Sequence, residues 1–244
     1  TRLDNAIGTA GIMHQCVVQA IHHARHRSVF GKLLIDQPLM RNVLADLALE
    51  SEAATTAMMR LARAYDQAET PFRRLATAVL KYWTCKRAPV HAAEALECLG
   101  GNGYVEEWGM ARLYREAPLN SIWEGSGNVQ CLDVLRAIQK SPESLQALLS
   151  EIWEARGGDH RLDIYVNELR TQLARTEDLE LRARRLVERL ALALQASLLV
   201  RHAPPEIADA FCASRLDGDG GRAFGTLPAG ADFGAILERH SIAG

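Results

Sequence analysis

Apolar residues recur at helical spacing along almost the whole chain, and the breaks between the runs divide it. From Leu3 to about His26, Ile7, Met13, Val17, Ala20, Ile21 and Ala24 fall near one face with no proline between them, which predicts a first long helix. The segment "RSVFGKLLIDQ" interrupts the pattern. Pro38 suits the first turn of a second helix, carried by Leu39, Val43, Leu47 and Met58 to about Gln67. Thr70-Pro71 reads as the cap and first residue of a third helix, which runs to Leu99 with a kink at Pro89 and stops at Gly100-Gly101. A shorter helical stretch, about 106–117, leads into "NSIWEGSGNVQ", and "GNVQCLDVLRAIQK" makes the next long helix. Ser141-Pro142 and Thr176 are further starts, Gly157-Gly158 is a break, and a last helix runs from Pro204-Pro205 to near Leu216. No strand pattern of any length and no internal repeat stands out. The expected fold class is all-α: a four-helix bundle over 1–140, additional helices over 141–216, and a loose Gly/Ala-rich tail over 217–244.

Composition narrows the function classes more than the fold. The formal net charge of the 244 residues is −2, so the chain as a whole lacks the electrostatic signature of a nucleic-acid or membrane binder. The longest apolar run, "LALALQASLLV", is too short to span a bilayer, and the opening "TRLDNAIG" is polar at once. A cytoplasmic protein with no membrane partner is therefore expected. The five cysteines are scattered without a C-x-x-C pair and read as small buried hydrophobes in a reducing compartment.

Few side chains suggest chemistry on spacing alone. "LDGDGG" at 216–221 has alternating aspartates but lacks the later ligands of a calcium loop. His22 and His26 lie one helical turn apart without an evident third ligand, so no metal is expected. "GGNGY" follows a helix rather than a strand and reads as a helix end and turn, not a dinucleotide fingerprint. That leaves Glu124, set between Trp123 and Gly125-Ser126-Gly127. It reads either as a surface charge in a turn whose Ser126 caps the next helix, or as a general base with glycines that allow close approach.

Three stretches in order, "RHRSVFGKLLIDQPLMRNVLADL", "ALECLGGNGYVEEWGMARLYREA" and "NSIWEGSGNVQ", resemble the C-terminal helical domain of the acyl-CoA dehydrogenase flavoproteins over roughly residues 1–140. The resemblance implies that Glu124 removes the α-proton of an acyl-CoA thioester while a hydride passes from the β-carbon to FAD. A base for so weak an acid needs to be held at the carbon, out of bulk water, with its pKa raised by an apolar surround. Ile122 and Trp123 are the candidates for that surround, and Gly125 for substrate space. By the same carry-over Arg27 and Phe30 contact FAD across a subunit interface. Glu97, Gly100 and Gly101 lie against its phosphates and adenine side, and Ser126 and Asn128 near its adenine ribose. The resemblance also implies a homo-oligomer, usually a tetramer.

Departures refine the reading. Glu97 stands where the family has Gln; Gln37, which the resemblance implies is also a cofactor-binding residue, sits one place early before Pro38; and Trp123 replaces a smaller aromatic. With the helices beyond 140, these features resemble the alkylation-response (AidB-like) branch, which implies FAD binding, feeble dehydrogenase activity and association with double-stranded DNA through the C-terminal region. Residues 151–216 hold ten arginines against eleven acids, so net charge does not favour DNA. A helix over 177–203 extended back to Arg175 would place Arg175, Arg182, Arg185 and Arg189 within an arc of roughly 80°, the candidate DNA face. The family's N-terminal helical and middle β domains have no counterpart in these residues. The resemblance therefore implies a C-terminal portion that folds as a bundle but does not turn over substrate alone.

Overall fold

The computed structural model describes residues 1–240. Three long helices come first: α1 (Arg2–His26), α2 (Pro38–Asp66) and α3 (Thr70–Cys98). Short α4 (Gly101–Tyr104) and α5 (Met110–Glu116) follow, then α6 (Gly127–Lys140), which completes a four-helix bundle with α1, α2 and α3. Helix α3 is the axis of the molecule. It packs on α1, α2, α6 and two later helices, α7 (Pro142–Trp153) and α9 (Leu179–His202), as well as α5. Its middle turns are apolar almost all round, with Leu75, Ala76, Val79, Leu80, Ala88 and Ala92 fully buried. A helix of that pattern must be enclosed rather than laid on a surface. It continues through Pro89 to Cys98.

Several boundaries differ from the sequence expectation for identifiable reasons. Thr70 does not cap α3: Glu69 occupies that position, and the Thr70 hydroxyl donates back to the Ala68 carbonyl. The stretch expected as helix over 106–117 is a bend followed by α5 alone. "SVFGKL" forms a two-residue antiparallel hairpin, Ser28–Val29 against Lys32–Leu33. Phe30 and Gly31 at its tip both have positive φ (53° and 78°), as the tight turn matching strand twist requires. The strands were too short to leave a period-2 pattern. All five cysteines are buried and free. Among the described residues no helix is long and apolar enough to cross a membrane.

Beyond residue 140, α7, α9 and α10 (Pro205–Phe211) pack on α2, α3 or α6, and α8 (His160–Ala174) packs on α9 and on the Cys212–Leu216 turn. The seam is ionic. Arg60 of α2 donates to Glu69 and to Glu151 of α7, and Arg201 of α9 also binds Glu151. Arg215, in a wide helical turn at Cys212–Leu216, reaches Asp46 and Glu50 of α2, and Arg87 of α3 meets Glu50 from the other side. From 217 to 240 the tail expected to be loose is docked; its last four positions, 241–244, lie outside the described residues. Asp46 accepts the backbone N–H of Gly225 and Thr226, Asn42 pairs both ways with Leu227, and Leu227 is buried. A final helix, α11 (Phe233–Arg239), buries Ile236 and Leu237 and binds Glu52 through Arg239. Composition suggested disorder because glycine and alanine carry no anchoring bulk. The anchors are instead carboxylates of α2, which the tail residues do not reveal.

This seam makes stability pH-dependent with a definite sign. Burial would raise the Glu50 carboxyl, but Arg87 and Arg215 outweigh it and hold it at about 2. Burial pushes His91 down to about 4, partly offset by the Leu47 carbonyl beside Nε2. Both groups have folded values below their unfolded ones, so both contributions are present at neutral pH and lost on acidification. His91 acts between about 6.5 and 4, for at most about 3 kcal/mol, and Glu50 acts below about 4.5. Urea midpoints measured across pH 7 to 4 are expected to fall, and in His91→Gln that slope should become shallower; a flat wild-type profile would contradict the assignment. Separately, Arg215→Met leaves Asp46 and part of Glu50 uncompensated in the interior and should cost about 3 kcal/mol in urea unfolding. A loss below about 1 kcal/mol would show that the seam is peripheral to stability.

Candidate functional site

The segment between α5 and α6 is where the backbone leaves helical geometry and side chains are spent on holding it. Glu124 has φ +59° and Gly125 φ +103°. A non-glycine residue in the left-handed region is costly unless its surroundings over-determine it, and such residues cluster at functional sites. Three side chains fix this one. The Lys81 ammonium of α3 donates to the carbonyls of Trp123 (2.9 Å) and Gly125 (2.7 Å). Gln130 Nε2 of α6 donates to the carbonyls of Glu124 (2.9 Å) and Gly125 (3.0 Å). Arg2 Nε of α1 donates to the Glu124 carbonyl at 3.1 Å, while its Nη1 binds Asp133 at 2.7 Å. Every carbonyl from 123 to 125 is thus turned inward onto a donor, and the Glu124 carboxylate is left pointing out.

That carboxylate is exposed and accepts a hydrogen bond from the Thr1 hydroxyl at 2.7 Å. It borders a cavity of about 570 Å³ lined also by Arg2, Tyr65, Arg73, Arg74 and Thr77. Its flank is polar. Ile122 and Trp123 do not supply the apolar surround expected of them: both are largely exposed, and the Trp123 indole donates to Asn120. Gly125 does not make room for a substrate either. A Cβ there would lie 2.6 Å from Gln130 Nε2 and 2.9 Å from Val129 Cγ1, so the glycine is demanded by packing inside the turn and by its φ. Ser126 occupies the N-cap position of α6 without a side-chain capping bond, and Asn128 accepts a hydrogen bond from Arg184 of α9 at 2.8 Å.

A second group of site residues lies at the far end of α3. Arg27 follows α1, and Gly100 and Gly101 follow α3; all three are exposed. Arg27 lines a cavity of about 510 Å³ with His22, His23, His26, Asn102 and Trp108. A Cβ at Gly100 or Gly101 would meet no atom within 4 Å, so bare backbone faces outward there. A guanidinium beside open backbone suits a diphosphate, and Phe30 is 97 % exposed on the adjacent hairpin. These residues fit the contacts the resemblance implies for FAD. Glu97 is exposed on the last turn of α3 and adds to burial in pushing the neighbouring Glu94 carboxyl up. Gln37 is used structurally: its Nε2 donates to the Val29 carbonyl and ties the hairpin to α2. Lys81 and Leu99 are eighteen residues apart on one helix, roughly 27 Å at 1.5 Å per residue. The two groups are therefore not brought together within one chain.

The arginine stripe does not form as expected. Helix α9 begins at Leu179, after Asp178 with φ +52°, so Arg175 lies on the end of α8 and not on α9. Arg182 folds back to donate to the carbonyls of Gln172, Arg175 and Glu177. Arg189 pairs with Glu168 at 2.9 Å and stacks on Tyr165. Arg175 and Arg185 stay exposed beside a small cavity. No group of three or more metal-ligating side chains occurs among the described residues.

Sequence reasoning missed Lys81, Gln130 and Arg2, which do most to hold the site. Lys81 had a readable signal: it is a lysine within "LATAVLKYW", where the neighbouring positions on the helix are apolar, and a charge there must find a partner when buried.

Residues 1–139 match the family described as "Acyl-CoA dehydrogenase, C-terminal domain". The AidB protein of Escherichia coli (strain K12) is 43% identical over 225 residues, 91% of this chain and 41% of that protein, so the similarity runs well into the additional helices. The mitochondrial isovaleryl-CoA dehydrogenase of Oryza sativa is 30% identical over 139 residues, 57% of this chain and 34% of that protein. Among solved structures, Caenorhabditis elegans ACDH-11 in complex with C11-CoA superposes with a TM-score of 0.79 at 25% identity, over 88% of this chain and 42% of that one. The chain spans about two fifths of the length of AidB. With its bundle matched over more than half its residues, this chain belongs to the acyl-CoA dehydrogenase family, as a C-terminal helical domain of that fold.

Proposed function

We propose that this chain is the C-terminal helical portion of an FAD-dependent acyl-CoA dehydrogenase-type oxidoreductase in which Glu124 is the base that takes the α-proton of an acyl-CoA thioester. The observation that supports it most is the left-handed, triply anchored backbone at Glu124, which orders a carboxylate at a cavity mouth where a simple surface turn would need no such anchoring. FAD is the cofactor of the family, and when bound it supplies the acceptor for the β-hydride. The chain's own part is to hold and orient. Lys81, Gln130 and Arg2 fix the turn, Glu124 Oε takes the proton, and Ser126 and Asn128 lie within four residues of it on the start of α6. The polar flank of the carboxylate means that water exclusion, if the base is to act on so weak an acid, comes from substrate and from segments beyond these residues.

The separation of the Arg27–Gly100–Gly101 group from the Glu124 group supports a homo-oligomer, with one copy's guanidinium serving the cofactor of another. Activity then belongs to the assembled full-length protein. In that protein Glu124→Gln should retain FAD but lose acyl-CoA-dependent bleaching of the flavin by a factor on the order of 10² to 10⁴ in stopped flow. An unchanged bleaching rate would remove Glu124 from the mechanism.

A further inference from the structure

Lys81 is among the largest side chains buried completely: it is 1% exposed, in the twelfth position of the central helix α3. Burial pushes its ammonium below the usual lysine range, and Arg2 and Lys86 act in the same direction, while Cys85 and Glu124 oppose them. A methionine or leucine would fill the same space without the desolvation cost of a cation. Its two hydrogen bonds go to peptide carbonyls that bracket one residue: Trp123 C=O on the near side of Glu124 and Gly125 C=O on the far side. Gln130 already satisfies the Gly125 and Glu124 carbonyls with a neutral amide, which leaves the Trp123 carbonyl to Lys81. What the ammonium adds is a charge-assisted grip on both flanks of a residue held at φ +59°.

We infer that Lys81 is a positioning residue for the base: its buried ammonium clamps the carbonyls of Trp123 and Gly125, the residues before and after Glu124, and thereby fixes where the carboxylate meets its substrate. The inference rests on the proposed role of Glu124 and deepens it. Lys81 touches no reacting atom. It acts through the backbone. A clamp of this kind matters to the chemical step more than to binding, because a carboxylate displaced by about 1 Å loses up to about a hundredfold in rate while the rest of the pocket still binds. The guanidinium of Arg2 reaches the same turn from α1 and is held by the Asp133 carboxylate of α6, which also accepts from Arg74 of α3, so the clamp has supports that remain when Lys81 changes.

The experiment uses the full-length protein with its FAD, as Lys81→Met, Lys81→Arg and Glu124→Gln. The readouts are flavin content, the limiting rate of flavin bleaching and the acyl-CoA concentration giving half that rate. In Lys81→Met the limiting rate should fall between about tenfold and a hundredfold, with flavin content and half-saturation close to wild type, and Lys81→Arg should recover much of the loss. A wild-type rate in Lys81→Met overturns the inference. So does a parallel fall in rate, half-saturation and flavin content, or failure of both lysine variants to fold, since either marks Lys81 as a core residue only. If Glu124→Gln abolishes bleaching while Lys81→Met is normal, the clamp alone is wrong; if Glu124→Gln bleaches normally, the base assignment falls and the clamp with it.

Discussion

Three backbone carbonyls turned inward at residues 123–125 are the constraint on which the site depends. A chain that passes from α5 to α6 through a left-handed glutamate and a glycine at φ +103° cannot satisfy those carbonyls by helix geometry. Donors have to be brought from elsewhere, and they come from three helices: Lys81 on α3, Gln130 on α6 and Arg2 on α1. The bundle is what makes this possible. α3 is enclosed by its neighbours, so a lysine at its centre has nowhere to place its charge except on the turn that crosses it. The same turn leaves the Glu124 carboxylate exposed and facing the cavity.

The additional helices are joined to the bundle by a different kind of interaction. Asp46, Glu50 and Glu52 all lie on α2 and collect Arg215, Arg87, the tail backbone and Arg239. Charges this deeply buried stabilise little by their mere presence, because desolvation offsets much of their attraction. They do fix register: a slip of the later helices would strand carboxylates in the interior. The similarity to AidB across 91% of the chain suits a unit in which these helices and the bundle form one packed body. Arg184 of α9, reaching Asn128 at the start of α6, carries that body up to the edge of the candidate site.

Much of this was legible in the sequence. The long helices announced themselves by period and by Pro38, Pro71 and Pro142 at their first turns, and the three motif stretches pointed to the family. The failures share a cause, since each depended on a partner distant in sequence. Thr176 looked like a start, yet α9 begins at Leu179, and Arg182 is consumed by carbonyls that no helical wheel displays. The tail looked loose because its anchors are on α2, some 180 residues earlier. Ile122 and Trp123 looked like a wall for the base on sequence adjacency, but the turn faces them outward. Lys81 was passed over because charge in a helix usually means a solvated face.

Proton abstraction by the ordered carboxylate of Glu124 is the step on which the proposed function stands. The most direct measurement separates that step from oxidation by using an acyl-CoA with sulfur in place of the β-carbon, which has no β-hydride to give. Incubated in heavy water with the full-length protein, its α-position should take up deuterium with wild type and stop doing so with Glu124→Gln, flavin content being equal. Exchange that persists at the wild-type rate in Glu124→Gln would place the base elsewhere and reduce the anchored turn to architecture.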